Sequence, residues 1–369
     1  QRLSRCTRPE DVVGRLSSDE FAVFMPSCPQ EQIPDLAQRM LSAIAEPFGI
    51  NGVMTIPNAC LGVCTYPEDG TDIGTLLRHA DQAMYAAKSQ GCQLWERYQP
   101  EMGKVSQERA DMERALRQAL THQHLELHYQ PQILSHTPQV LYGVEALARW
   151  QHAEWGWVAP LRFIAVAEDA GLIHQLTAWL IDAACSQLAA WRAQGLAVPH
   201  VAVNLSTSNF HDPAFAQQVL ACLQQHGLNC EDLMLEITES VMLDNSPATL
   251  NNLKALHAMG IQLSMDDFGT GYSSLSYLHR LPISELKLDK TFVQDVGSSS
   301  AASALTRSVL NIASTLEMTV VAEGVETAEQ AQWLLDQGCP VMQGYFYARP
   351  MPGHELPAWI RSQSCIQST

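Results

Sequence analysis

Eight short runs of apolar or alternating apolar and polar residues lie between residues 125 and 346, and most are separated by segments of helical periodicity. Runs of this length and composition predict β-strands. The runs are LELHYQP (125–131), LYGVEALARW (141–150), VAVNLS (201–206), LMLEIT (233–238), IQLSMDD (261–267), ELKLD (285–289), TVVAE (319–323) and VMQGYF (341–346). Eight strands alternating with helices favour a closed (β/α)₈ barrel over an open, doubly wound sheet.

The connections between these runs carry their own patterns. Apolar residues recur at spacings of three and four from Leu176 to Trp191, which predicts an amphipathic helix that ends at Gly195. Residues 131–141 are too few and too rich in turn formers for a helix. A hairpin is the alternative there, and it would make one strand of the barrel antiparallel.

A polar stretch from Glu96 to Glu113 contains a proline and a glycine and runs into a helical pattern. We interpret it as the boundary between two domains. The predicted organisation is a partial N-terminal domain over residues 1–97, a helical linker over 98–113 and a larger barrel domain over 114–363.

Polar residues fall within or at the end of most of the predicted barrel strands. Because parallel strands end on one face of a barrel, we expect these side chains to converge there. The residues are Glu145, Asn204, Glu236, Asp266, Asp267, Lys287, Glu323 and Gln343. A single residue of this kind is usually a strand-end group satisfied by water, but seven strands that each supply one indicate a site.

Charge narrows the chemistry of that site. The chain has 22 Lys and Arg against 39 Asp and Glu, a net charge of −17, which argues against a nucleic-acid polymer as partner. Five of the converging residues are carboxylates, which would repel one another unless cations joined them. Oxygen ligands without clustered Cys or His favour Mg²⁺ or Mn²⁺ over Zn²⁺. Two such ions beside Lys287 would suit metal-assisted phosphodiester hydrolysis.

The segment DDFGTGYSSL follows the fifth predicted strand. Gly269 and Gly271 permit unusual backbone angles, so a mobile gating loop at the site is one hypothesis. An ordinary turn leading into a helix near Ser273 is the alternative, and the glycine pair does not decide between them.

The sequence also gives expectations about the cellular compartment of the protein and about segments beyond this chain. There is no apolar run of about 18 residues, so no membrane span is predicted. Because the chain begins with Gln1, we expect a fragment of a cytoplasmic protein, or the cytoplasmic part of a membrane-anchored one with an upstream sensor. Ten scattered cysteines fit buried thiols better than a disulfide framework. The 13 histidines show no paired-ligand spacing, and we interpret them as surface or core residues.

The barrel segment resembles the EAL family of cyclic di-GMP phosphodiesterases. The motifs that carry the resemblance are EAL at Glu145-Ala146-Leu147, VNLS, LEITE, DDFGTGYSSL, LKLD, AEGVE and QGYFYARP. The resemblance covers about 250 residues and implies a TIM-like barrel with one antiparallel strand. It also implies hydrolysis of cyclic di-GMP to linear pGpG with Mg²⁺ or Mn²⁺, two ions being expected.

The resemblance implies roles for individual residues. Glu145, Asn204, Glu236 and Asp266 resemble ligands of the first metal ion, and Asp267 resembles a second-metal ligand or bridge. Lys287 resembles the lysine that holds the nucleophilic water. Glu323 resembles a residue that either binds metal or activates water, and this choice stays open. Catalytic roles are expected at Glu145, Asp267, Lys287 and Glu323, with substrate also contacting Asn204, Asp267 and Lys287.

Further positions match the family at its substrate side or near its regulatory loop. The expected substrate-side or neighbouring residues are Gln130, Leu147, Arg149, Glu326 and Gln343. Glu239 resembles the glutamate that steadies the DDFGTG loop, which in this family connects to a dimer interface. A homodimer through the barrel domain is therefore expected.

The N-terminal segment resembles the latter part of a GGDEF, or diguanylate cyclase, domain. The support is GRLSSDEFAVFMP, CLGVCTYPEDG and LLRHADQAMYAAKSQGC. Ser17 and Ser18 replace both motif glycines, which normally let a hairpin approach the nucleotide, so cyclase activity on GTP is not expected. Arg8 and Asp11 match the family's inhibitory RxxD site for cyclic di-GMP, although an ordinary surface pair is an equal alternative.

Three functions remain from the sequence. The leading one is a cyclic di-GMP phosphodiesterase that a degenerate GGDEF part regulates. The second is a receptor that binds cyclic di-GMP without cleaving it, and the third is a bifunctional cyclase and phosphodiesterase. The complete set of acids disfavours the second, and the SSDEF sequence disfavours the third.

Overall fold

The computed structural model describes residues 2–366 except 18, 51–52, 56, 92, 123, 137–139, 240, 242–243, 245 and 269–280. Ser18 and the loop residues Gly269, Gly271 and Ser273 named above lie outside the described residues. The chain divides into two compact units, residues 1–111 and 112–369.

The first unit is built from small sheets and helices. Strands β1 and β2 form an antiparallel hairpin, β3 pairs antiparallel with β4, and β5 pairs parallel with β6. The helices are α1 (Arg2–Arg5), α2 (Ile33–Ile44) and α3 (Ile73–Gln90), and the strands are β1 (Val12–Arg15), β2 (Phe21–Phe24), β3 (Phe48–Ile50), β4 (Val53–Thr55), β5 (Leu61–Val63) and β6 (Trp95–Arg97). Of the SSDEF segment, Ser17, Asp19 and Glu20 lie in the β1–β2 connection, and Phe21 begins β2. Helix α4 (Pro100–His122) follows β6.

The second unit contains the longer strands. Its strands are β7 (Leu125–Leu134), β8 (Leu141–His152), β9 (Gly156–Val158), β10 (Val201–Leu205), β11 (Leu233–Thr238), β12 (Gln262–Phe268), β13 (Glu285–Leu288), β14 (Thr319–Ala322), β15 (Val341–Met342) and β16 (Met351–Pro352). Its helices are α5 (Pro160–Asp169), α6 (Ile173–Ala193), α7 (Phe215–Gln225), α8 (Pro247–Ala258), α9 (Lys290–Val293), α10 (Ser300–Thr315), α11 (Ala328–Asp336) and α12 (Leu356–Ile366).

A closed eight-stranded barrel forms the core of the second unit. Strands β8, β10, β11, β12, β13, β14 and β15 are parallel neighbours, and β7 closes the ring by pairing antiparallel with both β15 and β8. The predicted barrel and its single antiparallel strand are both confirmed. The β7–β8 hairpin takes the place of a crossover helix because residues 135–140 are too few to form one.

Local sequence fixes where the surrounding helices begin and end. Ser246, Ser299 and Thr327 cap α8, α10 and α11 by accepting hydrogen bonds from backbone N–H groups of the first turn. Helix α6 ends at Ala193, and Gly195 follows with φ of +77°, as the sequence pattern predicted. These helices cover strands that are buried on both faces, such as β13, whose four residues are all buried.

The last barrel strand is shorter than predicted. It covers only Val341–Met342. Gln343 follows the strand directly, and its backbone N–H donates to the Ala322 carbonyl. A β-carbon at Gly344 would collide with the backbone of Val325, so glycine lets these two loops pack closely. This packing places the end of β15 beside the end of β14.

Two further expectations concern membranes and thiols. None of the helices in the described part of the chain has both the length and the apolar character needed to cross a bilayer. The eight cysteines whose side chains are described are all free, but only Cys185 and Cys339 are buried. Most of those thiols are therefore partly accessible, where the sequence suggested burial.

Candidate active site

Lys287 occupies the centre of the site at the carboxyl ends of the barrel strands. Its Nζ lies 2.7 Å from Glu236 Oε2 and 2.7 Å from Glu323 Oε1. Glu145 Oε1 and Asp266 Oδ1 each lie 3.4 Å from the same nitrogen. We call these five residues the Lys287 cluster. Because the lysine side chain is only 1% exposed, these carboxylates must offset the cost of burying its charge.

Two amide side chains fix the orientation of Glu145. Asn204 Nδ2 donates to Glu145 Oε1 at 2.7 Å, and Gln343 Nε2 donates to Glu145 Oε2 at 2.5 Å. Gln343 Nε2 also lies 3.1 Å from Gln130 Oε1, and Gln130 in turn donates to the Ala348 carbonyl. Glu145 lies on β8. Asn204, from the neighbouring strand β10, therefore holds it on one side, and Gln343, which follows β15 and contacts Gln130 of β7, holds it on the other.

The two aspartates are placed by an irregularity in β12. The register between β12 and β13 shifts between Met265 and Phe268, so β12 carries one extra residue there. Asp267 has φ of +55°, which is uncommon for a residue with a side chain, and its backbone N–H donates to Asp266 Oδ1 at 3.0 Å. Asp266 thus joins the Lys287 cluster, whereas the Asp267 side chain is exposed beside it.

Burial and mutual charge shift the pKa values of the cluster. Burial raises the pKa of Glu236 well above its usual value, and the neighbouring Glu145 adds to this effect. Burial also raises the pKa of Glu323, to about 8. Burial opposes ionisation of Glu145 too, but Lys287 and the amides of Gln343 and Asn204 outweigh it and lower its pKa. For Lys287 the carboxylates overcome desolvation and raise its pKa.

The donor set fits hard divalent cations. The four carboxylates of the Lys287 cluster and the adjacent Asp267 leave a formal excess of four negative charges over the single ammonium when all are ionised. Buried Glu236 Oε1 has no hydrogen-bond partner among the described residues. An unpaired buried carboxylate oxygen amid excess negative charge is what a cation with oxygen ligands would satisfy.

The other predicted residues lie at differing distances from this centre. Leu147 and Arg149 follow Glu145 on β8, both half-buried, and Arg149 interacts electrostatically with Tyr345 and Glu145. Glu326 is exposed, and in the described structure its side chain makes none of the contacts that join the Lys287 cluster. Glu239 is buried, and neither of its carboxylate oxygens has a hydrogen-bond partner among the described residues.

Gln130, like Leu147, Arg149, Glu326 and Glu239, is a residue for which the strand pattern gave no signal of its own. Only the family resemblance indicated it. In the structure it lies directly opposite Glu145 in the β7–β8 pair. The register of the β7–β8 hairpin therefore brings the Gln130 side chain to the site. The sequence indicates this register only once the two strands are known to form a hairpin.

Arg8 and Asp11 lie in the first unit and line a cavity of about 240 Å³ together with Arg39 and Gln32. The backbone N–H of Arg8 donates to Asp11 Oδ2 at 2.7 Å, and its guanidinium donates to Gln32 Oε1. In the β1–β2 turn, the Ser17 hydroxyl lies 3.1 Å from Glu20. Two guanidinium groups and two carboxylates, those of Asp11 and Asp35, thus line this cavity.

Comparison with known proteins identifies the family. The family model described as EAL domain matches residues 113–350. The chain belongs to the EAL domain family. A second model, described as diguanylate cyclase, GGDEF domain, matches residues 1–93, so a GGDEF segment precedes the EAL domain as the sequence resemblance predicted.

Several curated relatives share both parts. The bifunctional diguanylate cyclase/cyclic di-GMP phosphodiesterase MucR of Pseudomonas aeruginosa is 38% identical over 98% of this chain and 52% of its own length. The cyclic di-GMP phosphodiesterase PdeR of Escherichia coli is 35% identical over 96% of this chain and 53% of its own length. The chain therefore spans about half the length of the curated relatives it matches.

Solved structures match the EAL domain. A structure described as PaMucR phosphodiesterase in complex with c-di-GMP has a TM-score of 0.63 and 42% identity, and the match covers 67% of this chain and 99% of that one. The EAL domain of Mycobacterium smegmatis DcpA has a TM-score of 0.56 and 33% identity over 65% of this chain and 98% of that one.

Proposed function

We propose that this EAL domain hydrolyses cyclic di-GMP to linear pGpG with the help of two divalent cations, Mg²⁺ or Mn²⁺. The observation that carries the proposal is the Lys287 cluster, in which four carboxylates from four strands surround one buried ammonium. The relatives named as cyclic di-GMP phosphodiesterases and the MucR complex with c-di-GMP support the choice of substrate.

The residues that would hold the cations supply only oxygen ligands, as Mg²⁺ and Mn²⁺ prefer. Bound there, the cations would polarise the phosphoryl oxygen and neutralise charge that develops on the leaving ribose oxygen. Glu145, Asn204, Glu236 and Asp266 are assigned to one cation. Asp267, which is exposed at the bulge in β12, is assigned to the other or to both.

Lys287 and Glu323 are assigned to the water that attacks phosphorus. With Glu323 Oε1 only 2.7 Å from Lys287 Nζ, one water can accept a hydrogen bond from the ammonium while it donates one to the carboxylate. The carboxylate can then take the proton as the oxygen attacks. In this scheme Lys287 orients the water and Glu323 acts as the base, although a role for Glu323 as a metal ligand fits the same position.

Substrate binding is assigned to the rim around the Lys287 cluster. Arg149 is half-buried beside Glu145 and offers a guanidinium for a phosphate or a guanine edge. Leu147, on the same strand, offers apolar contact. Gln343 and Gln130 position Glu145 and lie next to the bound nucleotide in this arrangement, and exposed Glu326 is assigned to the outer side of the substrate.

A direct assay separates hydrolysis from binding alone. The 369-residue chain is incubated with cyclic di-GMP and Mg²⁺ or Mn²⁺, and the nucleotides are separated by chromatography. We expect pGpG to accumulate. Glu145→Ala should abolish its formation, because the variant removes a proposed metal ligand that Asn204 and Gln343 orient and that Lys287 contacts. Cyclic di-GMP that is bound but intact in the presence of both metals would instead support the receptor function.

The first unit carries a second, separate proposal, that cyclic di-GMP binds the cavity lined by Arg8 and Asp11. Arg8 and Arg39 each bring a guanidinium group, which can bind a phosphate, to a cavity of about 240 Å³ that Asp11 and Asp35 also line. Calorimetry on a Glu145→Ala background should give a second cyclic di-GMP per chain that Arg8→Ala removes. One-to-one binding would contradict this site, and the same measurement with GTP tests whether the nucleoside triphosphate binds instead.

Regulation and assembly remain predictions. Ser17 and Ser18 in place of glycines predict that GTP yields no cyclic product above a control without enzyme. The homodimer that the family resemblance implies, and the role of Glu239 in it, are tested by light scattering of the wild-type chain and Glu239→Gln.

A further inference from the structure

A second group of metal-ligating side chains lies on the outside of the barrel, between helices α6 and α7. His226 Nε2 lies 2.8 Å from Asp182 Oδ1, and Cys222 Sγ lies 4.0 Å from the same oxygen. The ligand atoms of Asp182, Cys222 and His226 all lie within 4.8 Å of one another. We call these three residues the α6–α7 site.

Helix geometry accounts for this convergence. Cys222 lies in the last turn of α7 and His226 caps that helix four residues later, so their side chains share one face. Asp182 lies on α6, and Cys185 follows it by three residues on the face turned toward α7. The Cys185 and Cys222 thiols contact each other through a hydrogen bond that raises the pKa of Cys185 and lowers that of Cys222.

The dimensions fit a small tetrahedral ion. Zn²⁺ binds imidazole and carboxylate at about 2.0–2.2 Å and thiolate at about 2.3 Å, so ligand atoms around it are about 3.3–3.6 Å apart. The Asp182–His226 pair would have to open slightly from 2.8 Å, and the Asp182–Cys222 pair would have to close slightly from 4.0 Å. Asp182 is exposed and free to make this adjustment by a side-chain rotation.

We propose that Asp182, Cys222 and His226 bind a borderline divalent transition-metal ion, with Zn²⁺ as the expected species and water completing its coordination. The three ligands come from two helices, with Asp182 on α6 and Cys222 and His226 at the end of α7. The ion joins α6, which leads into β10 and Asn204, to α7, which leads into β11 and Glu236.

The ligand chemistry separates this ion from those of the proposed active site. The Lys287 cluster offers oxygen ligands, which suit hard cations, whereas the α6–α7 site offers sulfur and imidazole nitrogen. Of these two sites, the α6–α7 site is the one that can form a bond to thiolate sulfur. The inference therefore does not depend on the proposed phosphodiesterase activity.

Co²⁺ is the probe because its bond to thiolate absorbs light. The full chain, stripped of metal and kept reduced, is titrated with Co²⁺ in excess Mg²⁺, which occupies oxygen sites. We expect a thiolate-to-cobalt charge-transfer band that saturates at one Co²⁺ per chain and that Zn²⁺ abolishes by displacement. Cys222→Ser should remove the band, and Asp182→Asn and His226→Ala should each weaken Co²⁺ binding at least tenfold.

Cys230→Ser is the matched control, because Cys230 is another partly buried thiol that follows α7 but lies outside the site. It should keep the full band. Circular dichroism verifies that the variants fold. If Cys222→Ser does not fold, Asp182→Asn still tests the site, because Asp182 is exposed. The proposal is overturned by the absence of the band in the wild-type chain or by a band that survives in Cys222→Ser.

Discussion

The two ends of the barrel strands bury ionisable groups in opposite ways. At the carboxyl ends, the Lys287 cluster contains charges in direct contact. At the amino ends, a second group consists of Tyr142, His200 and Glu285, which we call the strand-start cluster. Lys287 and Glu285 are only two residues apart on β13, so the same short strand serves both.

The strand-start cluster is held together by neutral groups. The Tyr142 hydroxyl donates to Glu285 Oε2 at 2.8 Å, and the His200 ring meets the Tyr142 ring edge to face. Burial raises the pKa of Glu285 and lowers that of His200 to about 4, so both favour the uncharged form. A β-carbon at Gly143 would collide with the His200 ring, which explains the glycine there.

This difference between the Lys287 cluster and the strand-start cluster indicates the role of each end of the barrel. Desolvation acts on both ends, but only at the carboxyl end does a buried ammonium contact carboxylates. These contacts raise the pKa of Lys287 and lower that of Glu145, whereas burial and like charges raise the pKa of Glu236 and Glu323. A purely structural core would avoid that cost, because buried ion pairs rarely stabilise more than apolar packing does. The charged end is therefore best explained by chemistry, and the neutral end by packing.

The largest effect should come from removing the one cation of the Lys287 cluster. Lys287→Met leaves Glu145, Glu236 and Glu323 buried without their counter-ion, which should lower the free energy of unfolding by about 3–5 kcal/mol and abolish pGpG formation. Urea denaturation without divalent metal measures the first effect. Lys254→Met, at an exposed lysine of α8, is the control and should match the wild-type chain. Equal stability of the two variants would contradict the electrostatic account.

A matched pair of buried glutamates tests the comparison more finely. Glu236→Gln and Glu285→Gln both replace a buried carboxyl group by an amide of similar shape. The first should lower the rate of pGpG formation by at least ~100-fold because it weakens the proposed metal site. The second should leave the rate within about twofold and the unfolding free energy within about 1 kcal/mol, because burial raises the pKa of Glu285 and so favours its uncharged form. Similar rate losses in both variants would remove the distinction between the two ends.

The sequence predicted the barrel, its antiparallel strand and the set of converging residues because strand alternation and strand ends are local patterns. Glu236 and Lys287, for example, stand near the ends of short apolar runs. The bulge at Asp266 and Asp267 could not be predicted, because it depends on register between β12 and β13. For the same reason, nothing local indicated that Lys287 would contact four carboxylates at once.

Two features escaped the sequence for different physical reasons. The interpretation of the histidines as surface or core residues gave no indication of the α6–α7 site, in which Cys222 precedes His226 by four residues, the spacing of one helical face. The partner Asp182 lies 40 residues before Cys222, and only helix packing brings it near. The strand-start cluster likewise joins Tyr142 to Glu285 across 143 residues.

The smallest effect concerns His200 and appears only in acid. Its pKa is lowered from an ordinary value of about 6.5 to about 4 by burial, with nearby Asp232 opposing the shift. The unfolded chain therefore binds a proton first as the pH falls, so this histidine's contribution to stability is complete above pH ~6.5 and is lost progressively toward pH ~4. At pH ~5 the loss should reach about 2 kcal/mol relative to pH ~7.5.

His200→Gln should remove this part of the pH dependence while leaving pGpG formation at neutral pH unchanged, because residue 200 belongs to the uncharged end. Urea denaturation of both proteins at the two pH values gives the difference directly. His257→Gln, at an exposed histidine of α8, should retain the wild-type dependence. If His200→Gln loses stability in acid as steeply as the wild-type chain does, His200 is not held neutral, and the contrast between the two ends of the barrel would rest on Glu285 alone.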